Sequence, residues 1–155
     1  MARPTVGDAA PDFTLTGTAG PFHLAEHRGS IVALLFYPAD DTKVCTKQLC
    51  AYRDDAAGLA ATGATIVGIS AKDVASKESF VAKHGLTLPL LADPDRAVAA
   101  LYGATAPLLG TKRSTFVIDA EGVIRFRHDS TLGLSFLTSA QLTTAITDLQ
   151  ARPAA

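Results

Sequence analysis

The 155-residue chain has no tryptophan, one methionine and two cysteines, and aromatic residues make up only 6% of it. Two cysteines are too few for the disulfide framework of a small secreted scaffold. Their spacing is C-x4-C. Without a C-x-x-C pair and a flanking tryptophan, a dithiol–disulfide reductase is a poor fit. Charge of one sign is also missing. Fourteen Lys+Arg against fifteen Asp+Glu leave a formal charge of -1, so no basic excess draws the chain to nucleic acid or an anionic membrane. Long apolar runs are absent too. The purest, Ile31 to Tyr37, has seven residues, far short of the ~20 that a membrane span needs. The start of the chain lacks the hydrophobic stretch of a signal peptide. The expected location is the cytoplasm, where thiols stay reduced.

What is present is a core-forming sequence. Hydrophobic residues make up 48% of the chain, and this length suits one domain that buries roughly 70% of its unfolded surface. We expect a single domain over residues 1–155, with 152–155 frayed. Phe13–Leu15 and Phe22–Leu24, around Gly17 and Gly20-Pro21, suggest an N-terminal hairpin. Ile31–Tyr37 and Thr65–Ser70 read as strands buried on both faces. Ser114–Ile118 and Val123–Arg127, joined by Asp119–Gly122, read as a second hairpin. Alternation in its last strand puts Ile124 and Phe126 on one face and Arg125 and Arg127 on a solvated one. Helical spacing appears from about Cys45 to Ala61, from Asp73 or Ser76 to His84, and from Arg96 to Tyr102. Gly63 and Gly85 act as stops, and His84 reads as a cation at a helix C-terminus. Thr138-Ser-Ala-Gln141 fits a capping box ahead of Leu142, Ile146 and Leu149. The sum is an α/β fold, a mixed β-sheet with helices on both faces.

Cys45 follows the central strand after a short loop, Pro38 to Val44, and sits where a helix begins. A helix start offers free N–H groups and the positive end of the dipole. A thiolate in a favourable site there gains up to ~2 kcal/mol. Thr42 can donate a hydroxyl hydrogen bond to a thiolate or a bound oxygen. Pro38 can wall off one side of the pocket without adding an N–H. Cys50 lies five positions on. In an ideal helix the two Cα atoms are ~8.6 Å apart, beyond the roughly 4.4–6.8 Å of a disulfide. The thiols can bridge only if the first turns unwind. Other readings of the pair stay open at this point. Free cysteines are often small buried hydrophobes. A zinc site would need His23 and His27 to join them, at a spacing unusual for zinc.

Pro38-x-x-x-Thr42-x-x-Cys45 resembles the PxxxTxxC active-site pattern of the peroxiredoxins. The longer string from Phe36 to Asp54 is similar to the bacterioferritin-comigratory-protein branch, also called PrxQ, whose members often carry a second cysteine five residues after the first. Val6–Phe13, Leu88–Asp95, Leu101–Ala104 and Arg113–Asp119 extend the likeness over nearly the whole chain. The resemblance implies a thioredoxin-like fold with an N-terminal β-hairpin extension. It implies that Cys45 is the peroxidatic thiol, that Thr42, Arg113 and the Cys45 N–H hold the peroxide, and that Cys50 resolves the sulfenic acid as an intramolecular disulfide. It implies no metal, haem or flavin. The implied partners are a hydroperoxide and thioredoxin or a similar dithiol, with the chain a monomer or weak homodimer. Two departures stand out. Lys43-Val44 replaces the common Pro-Gly, and Gln48 stands where Glu is common.

Alternatives remain on the table. A peroxide sensor or regulatory redox protein would use the same cysteine chemistry without rapid turnover. Gly110-Thr-Lys112 only faintly resembles a phosphate loop, because no Ser or Thr follows the lysine.

Overall fold

The computed structural model describes residues 4–40, 42–106, 110–130 and 136–151. The frayed tail expected at 152–155 lies outside the described residues. In chain order the elements are β1 (Thr14–Gly17), β2 (Gly20–His23), a 3-10 turn (Leu24–His27), β3 (Val32–Phe36), α1 (Lys43–Asp54), α2 (Ala56–Ala60) and β4 (Thr65–Ser70). They continue with α3 (Val74–His84), β5 (Leu90–Ala92), α4 (Ala97–Leu101), β6 (Thr105–Ala106), β7 (Gly110–Thr111), β8 (Ser114–Ile118), β9 (Ile124–Asp129) and α5 (Ser139–Gln150). Seven strands form one sheet in the order β2-β1-β5-β4-β3-β8-β9. β3 pairs parallel with β4 and antiparallel with β8.

The apolar run of β3 explains its central place. Val32, Leu34 and Phe36 join the core on one face, with Val67, Ile69, Phe116 and Ile118. Ala33, Leu35 and Tyr37 join the other. The first face is covered by α4, the 3-10 turn and the N-terminal hairpin, through Val98, Leu24 and Phe22 among others. The second is covered by α1, α2, α3 and α5, through Leu49, Leu59, Phe80, Leu142 and Ile146 among others. Each such side chain adds about 1.5–3 kcal/mol on burial. The expected α/β fold with helices on both faces is the one found.

The N-terminal hairpin forms with Gly17 opposite Gly20, so Gly20 and Pro21 lie inside β2. Pro21 is tolerated because β2 is an edge strand. Gly17 also lets the hairpin close on β5, because a Cβ there would meet the Leu90 carbonyl oxygen at 2.2 Å. α3 is capped by Asp73, whose carboxylate accepts from Ser76 N–H, and it ends at Gly85 with φ 60°. α5 carries the full Thr138–Gln141 capping box. Thus both expected punctuation signals act as expected.

Three expectations are corrected. The helix drawn from Cys45 to Ala61 starts earlier, at Lys43, and bends at Asp55 (φ -106°, ψ 25°). Asp is a weak helix former, and Asp55 Oδ1 occupies the space a Cβ of Gly58 would need, 2.8 Å away. Next, Ile124 and Phe126 do not share a face. Ile118 pairs with Ile124 and Val117 with Phe126, so Arg125 is the extra residue of a β-bulge. Ile124 belongs to one core and Phe126 packs on the other. Finally, Arg127 is not solvated. Its guanidinium stacks 4.7 Å from the Phe116 ring centre. It donates to the carbonyls of Pro4, Tyr102 and Gly103 and to Asp129. Arg125 is the more exposed of the two and pairs with Asp119 at 2.8 Å.

Candidate active site

The sheet register builds the site. Phe36, the last residue of β3, lies opposite Ser114, the first of β8. Arg113 therefore emerges beside the point where the chain leaves β3. Tyr37 still donates its N–H to Ile69 O at 3.0 Å. Pro38, which has no N–H, ends the ladder. The chain then turns through a loop into α1, whose N-cap is Thr42 in extended conformation. Cys45 is the third helical residue and is fully buried. Its N–H is among the first-turn donors with no partner inside the helix.

Arg113 Nη2 donates to Cys45 Sγ at 3.0 Å. Nη1 of the same guanidinium donates to Gln48 Oε1, one turn further along α1. Its Nε is buried and has no hydrogen-bond partner among the described residues. Arg113 itself is held by backbone bonds on both sides, Lys112 N–H to Ala104 O at 2.6 Å and Ser130 N–H to Arg113 O at 3.0 Å. Asp129 braces this strand end by accepting from Ser114 Oγ and Arg127 and pairing with Lys112. Burial pushes the Asp129 carboxyl up, but Arg127, Ser114 and Lys112 outweigh it and hold it below the usual range. No carboxylate among the described residues pairs with Arg113, so its charge faces only the sulfur and the neutral Gln48 amide.

One turn further on, the Tyr52 hydroxyl donates to Leu137 O just before α5. Burial pushes Tyr52 up to about 12, against the opposing effects of Gln48 and Arg113. The phenol therefore stays a hydrogen-bond donor throughout the neutral range.

The Thr42 side chain is exposed and donates to Ala39 O at 3.3 Å, with no hydrogen bond to the sulfur or to the helix start. Pro38 is half-buried in the same loop. Cys50 is half-buried on unbroken α1 and packs on the same core as Cys45, and both thiols are free. The structure thus joins Cys45 and Arg113 directly and sets Thr42 and Pro38 in the adjoining loop.

The zinc alternative is not supported. His27 stacks on Phe22 at 4.4 Å, and Phe22 belongs to the core on the face opposite Cys45. Among the described residues no group of three or more His, Cys, Asp or Glu could hold a metal. The Gly110–Lys112 segment is strand β7 and its exit, with Lys112 near Asp129 at 3.8 Å, not a phosphate loop.

Sequence reasoning missed a buried polar cluster behind the loop. Asp40 accepts from Tyr37, Ser70, Ser76 and Lys77. Lys77 Nζ, itself fully buried, also donates to Ser70 Oγ. Burial pulls the Lys77 amine below its ordinary range, and Asp40 opposes this only in part. A signal was available. Lys77 falls three residues before Phe80 and four before Val81, on the inward face of α3.

Comparison with known proteins agrees with this geometry. Residues 6–127 match the AhpC/TSA family. A chloroplastic peroxiredoxin Q of Oryza sativa subsp. japonica is 40% identical over 127 residues, covering 80% of this chain and 58% of the rice protein. Peroxiredoxin Q of Sedum lineare is 38% identical over 84% of this chain and 72% of its own length. Among solved structures, peroxidoxin BcpB of Mycobacterium tuberculosis superposes with a TM-score of 0.82 at 34% identity, over 98% of this chain and 100% of that one. The chain belongs to the AhpC/TSA family, among peroxiredoxins of the Q type, and its fold is the thioredoxin-like one of that family.

Proposed function

We propose that the protein is a cytoplasmic thiol peroxidase in which Cys45 reduces hydrogen peroxide or an organic hydroperoxide. The observation that carries this reading is the Arg113 guanidinium. It touches the sulfur at 3.0 Å and keeps a buried Nε donor unspent. An always-charged fork of donors favours the thiolate and can hold an oxygen beside it. Similarity to peroxiredoxins supports the same chemistry.

In the first step the Cys45 thiolate attacks one peroxide oxygen. The S–O bond forms, the O–O bond breaks, and the leaving oxygen departs as water or an alcohol with the peroxide proton. Sulfur loses two electrons and becomes a sulfenate, which takes a proton from solvent to give the sulfenic acid. Arg113 and the free first-turn N–H groups offset charge on the leaving oxygen. In the second step Cys50 attacks the sulfenic sulfur. An S–S bond forms and water leaves. A thioredoxin-like dithiol then returns two electrons by exchange.

The test is steady-state peroxide consumption by purified protein with thioredoxin, thioredoxin reductase and NADPH. Turnover with hydrogen peroxide that vanishes in Cys45→Ser is expected. Full turnover in that variant would falsify the assignment. A single stoichiometric oxidation without turnover would instead favour a sensor.

A further inference from the structure

The buried Lys77–Asp40 pair has no place in the chemistry above, yet it is built with care. The Lys77 side chain is fully buried, and the Asp40 side chain is only 2% exposed. The lysine Nζ reaches both Asp40 oxygens, at 3.3 and 3.4 Å, and the Tyr37 hydroxyl at 3.4 Å. It also lies 5.3 Å from the centre of the Tyr37 ring. Asp40 further accepts from Ser76 Oγ at 2.8 Å and Ser70 Oγ at 3.4 Å. Its carboxylate therefore ties together the end of β3, the end of β4 and the start of α3.

A buried ion pair is poor evidence for stability, because apolar residues of similar volume often do as well. What such a network supplies is a fixed geometry. The position of Asp40 says which geometry is fixed. It lies in the loop between Pro38 and Thr42, two residues before the N-cap of the Cys45 helix. Among its described residues, the side-chain hydrogen bonds that leave this loop are those of Asp40. The Thr42 hydroxyl is spent on Ala39 O within the same loop. Lys43 and Val44, which precede Cys45, are exposed or half-buried and lack the rigid ring of a proline.

We propose that Lys77 is a positioning residue for the peroxide site, holding through Asp40 the loop that sets the first turn of α1, with Cys45, against Arg113. This rests on the peroxidase reading. Lys77 itself touches neither the sulfur nor the peroxide. It acts from α3, through a carboxylate, on groups that do.

The test compares two reactions of Cys45 in the reduced full chain. Reaction with hydrogen peroxide needs the assembled cradle, whereas alkylation by iodoacetamide needs the thiolate and access to it but not the donors placed for a peroxide oxygen. In folded Lys77→Met, the peroxide rate constant should fall about tenfold, since a small misplacement in such a site is costly. The Cys45 alkylation rate, read by site-resolved mass spectrometry, should change less than twofold. An unchanged peroxide rate, or equal loss in both reactions, overturns the proposal. If Lys77→Met does not fold, Ser76→Ala decides, because it removes one hydrogen bond to Asp40 and no charge. A two- to threefold loss in the peroxide reaction alone supports the proposal, and an unchanged rate overturns it. A wild-type chain that reacts no faster with peroxide than with iodoacetamide overturns the peroxidase reading, and this inference with it, by a different signature.

Discussion

Arg113 Nη2 lies 3.0 Å from Cys45 Sγ although 68 residues separate them in sequence. The contact follows from strand register, because Phe36 and Ser114 are paired across β3 and β8. Two NH groups of one rigid guanidinium thereby bridge the first and second turns of α1, through Cys45 and Gln48. A lysine has the charge but not the fork. Arg113→Lys and Arg113→Met should both fold, since Arg113 lines a site rather than filling the core. Both should lower the second-order rate with peroxide by roughly 10²–10³, the usual cost of losing a donor aimed at developing charge. Stopped-flow mixing with hydrogen peroxide measures this. A lysine variant within threefold of wild type would mean that charge alone suffices.

Gln48 sets the charge balance around that guanidinium. Its neutral amide accepts from Arg113. Gln48→Glu keeps the shape and adds a negative charge next to Arg113. The guanidinium is then neutralised by a carboxylate as well as by the sulfur, and an anion stands near the thiolate. The carboxylate then competes with a bound peroxide oxygen for the Arg113 donors. The second-order rate with peroxide at neutral pH should fall several-fold in stopped-flow mixing. A rate equal to wild type would show that the charge at this position does not reach the site.

Much of this arrangement was legible in the sequence, for identifiable reasons. β3 is a pure apolar run and β4 is apolar from Ile66 to Ile69, the pattern of strands covered on both faces. The α5 start was legible because a capping box is local. Cys45 and Arg113 were marked by a motif and a family likeness, since nothing local joins residues so far apart. The failures are equally physical. The bulge at Arg125 leaves the apolar–polar alternation of β9 intact on paper while turning Phe126 to the other face. Arg127 looked solvated because a charged side chain on an edge strand usually is. Here Phe116 and three carbonyls from distant segments surround it. The role of Asp40 depends on α3 docking Lys77 beneath it, a tertiary fact with only a weak trace in helical spacing.

His23 offers a pH test of the N-terminal hairpin. Its Nε2 lies 2.7 Å from Asp12 Oδ2, and Asp12 also accepts from Ala25 N–H. The Asp12 hydrogen bond raises His23 above its ordinary 6.5. The His23 hydrogen bond is the largest of the effects that lower Asp12 below 3.8, against a smaller upward push from burial. A raised histidine contributes stability that is complete below its unfolded value and lost as pH rises through the folded one. A lowered carboxylate contributes above its unfolded value and loses this as pH falls through the folded one. The pair therefore acts between the two, at mildly acid pH. Both groups are solvent-exposed, so the effect is small. His23→Gln should melt below wild type near pH 5.5 and together with it at about pH 8.5. A gap that persists at alkaline pH would assign the loss to packing.

The start of α1 bears on the second chemical step. α3 and α5 each begin with a side chain bonded to a first-turn N–H. At α1 the N-cap residue, Thr42, makes no such bond. A capping side chain is worth about 0.5–2 kcal/mol, so its absence lowers the cost of opening this turn. The same absence leaves N–H groups available beside Cys45. Opening is required, because α1 is continuous from Cys45 through Cys50 and an ideal helix holds their Cα atoms ~8.6 Å apart, too far for a disulfide. Stoichiometric peroxide should therefore give an intramolecular Cys45–Cys50 disulfide, seen as one cross-linked peptide after digestion. Far-ultraviolet circular dichroism should lose the signal of about one to two helical turns, and added dithiol should restore it. Cys50→Ser should form the sulfenic acid and keep its helicity. A disulfide formed with no loss of helix, or one found only between two chains, would show that resolution takes a route other than unwinding α1.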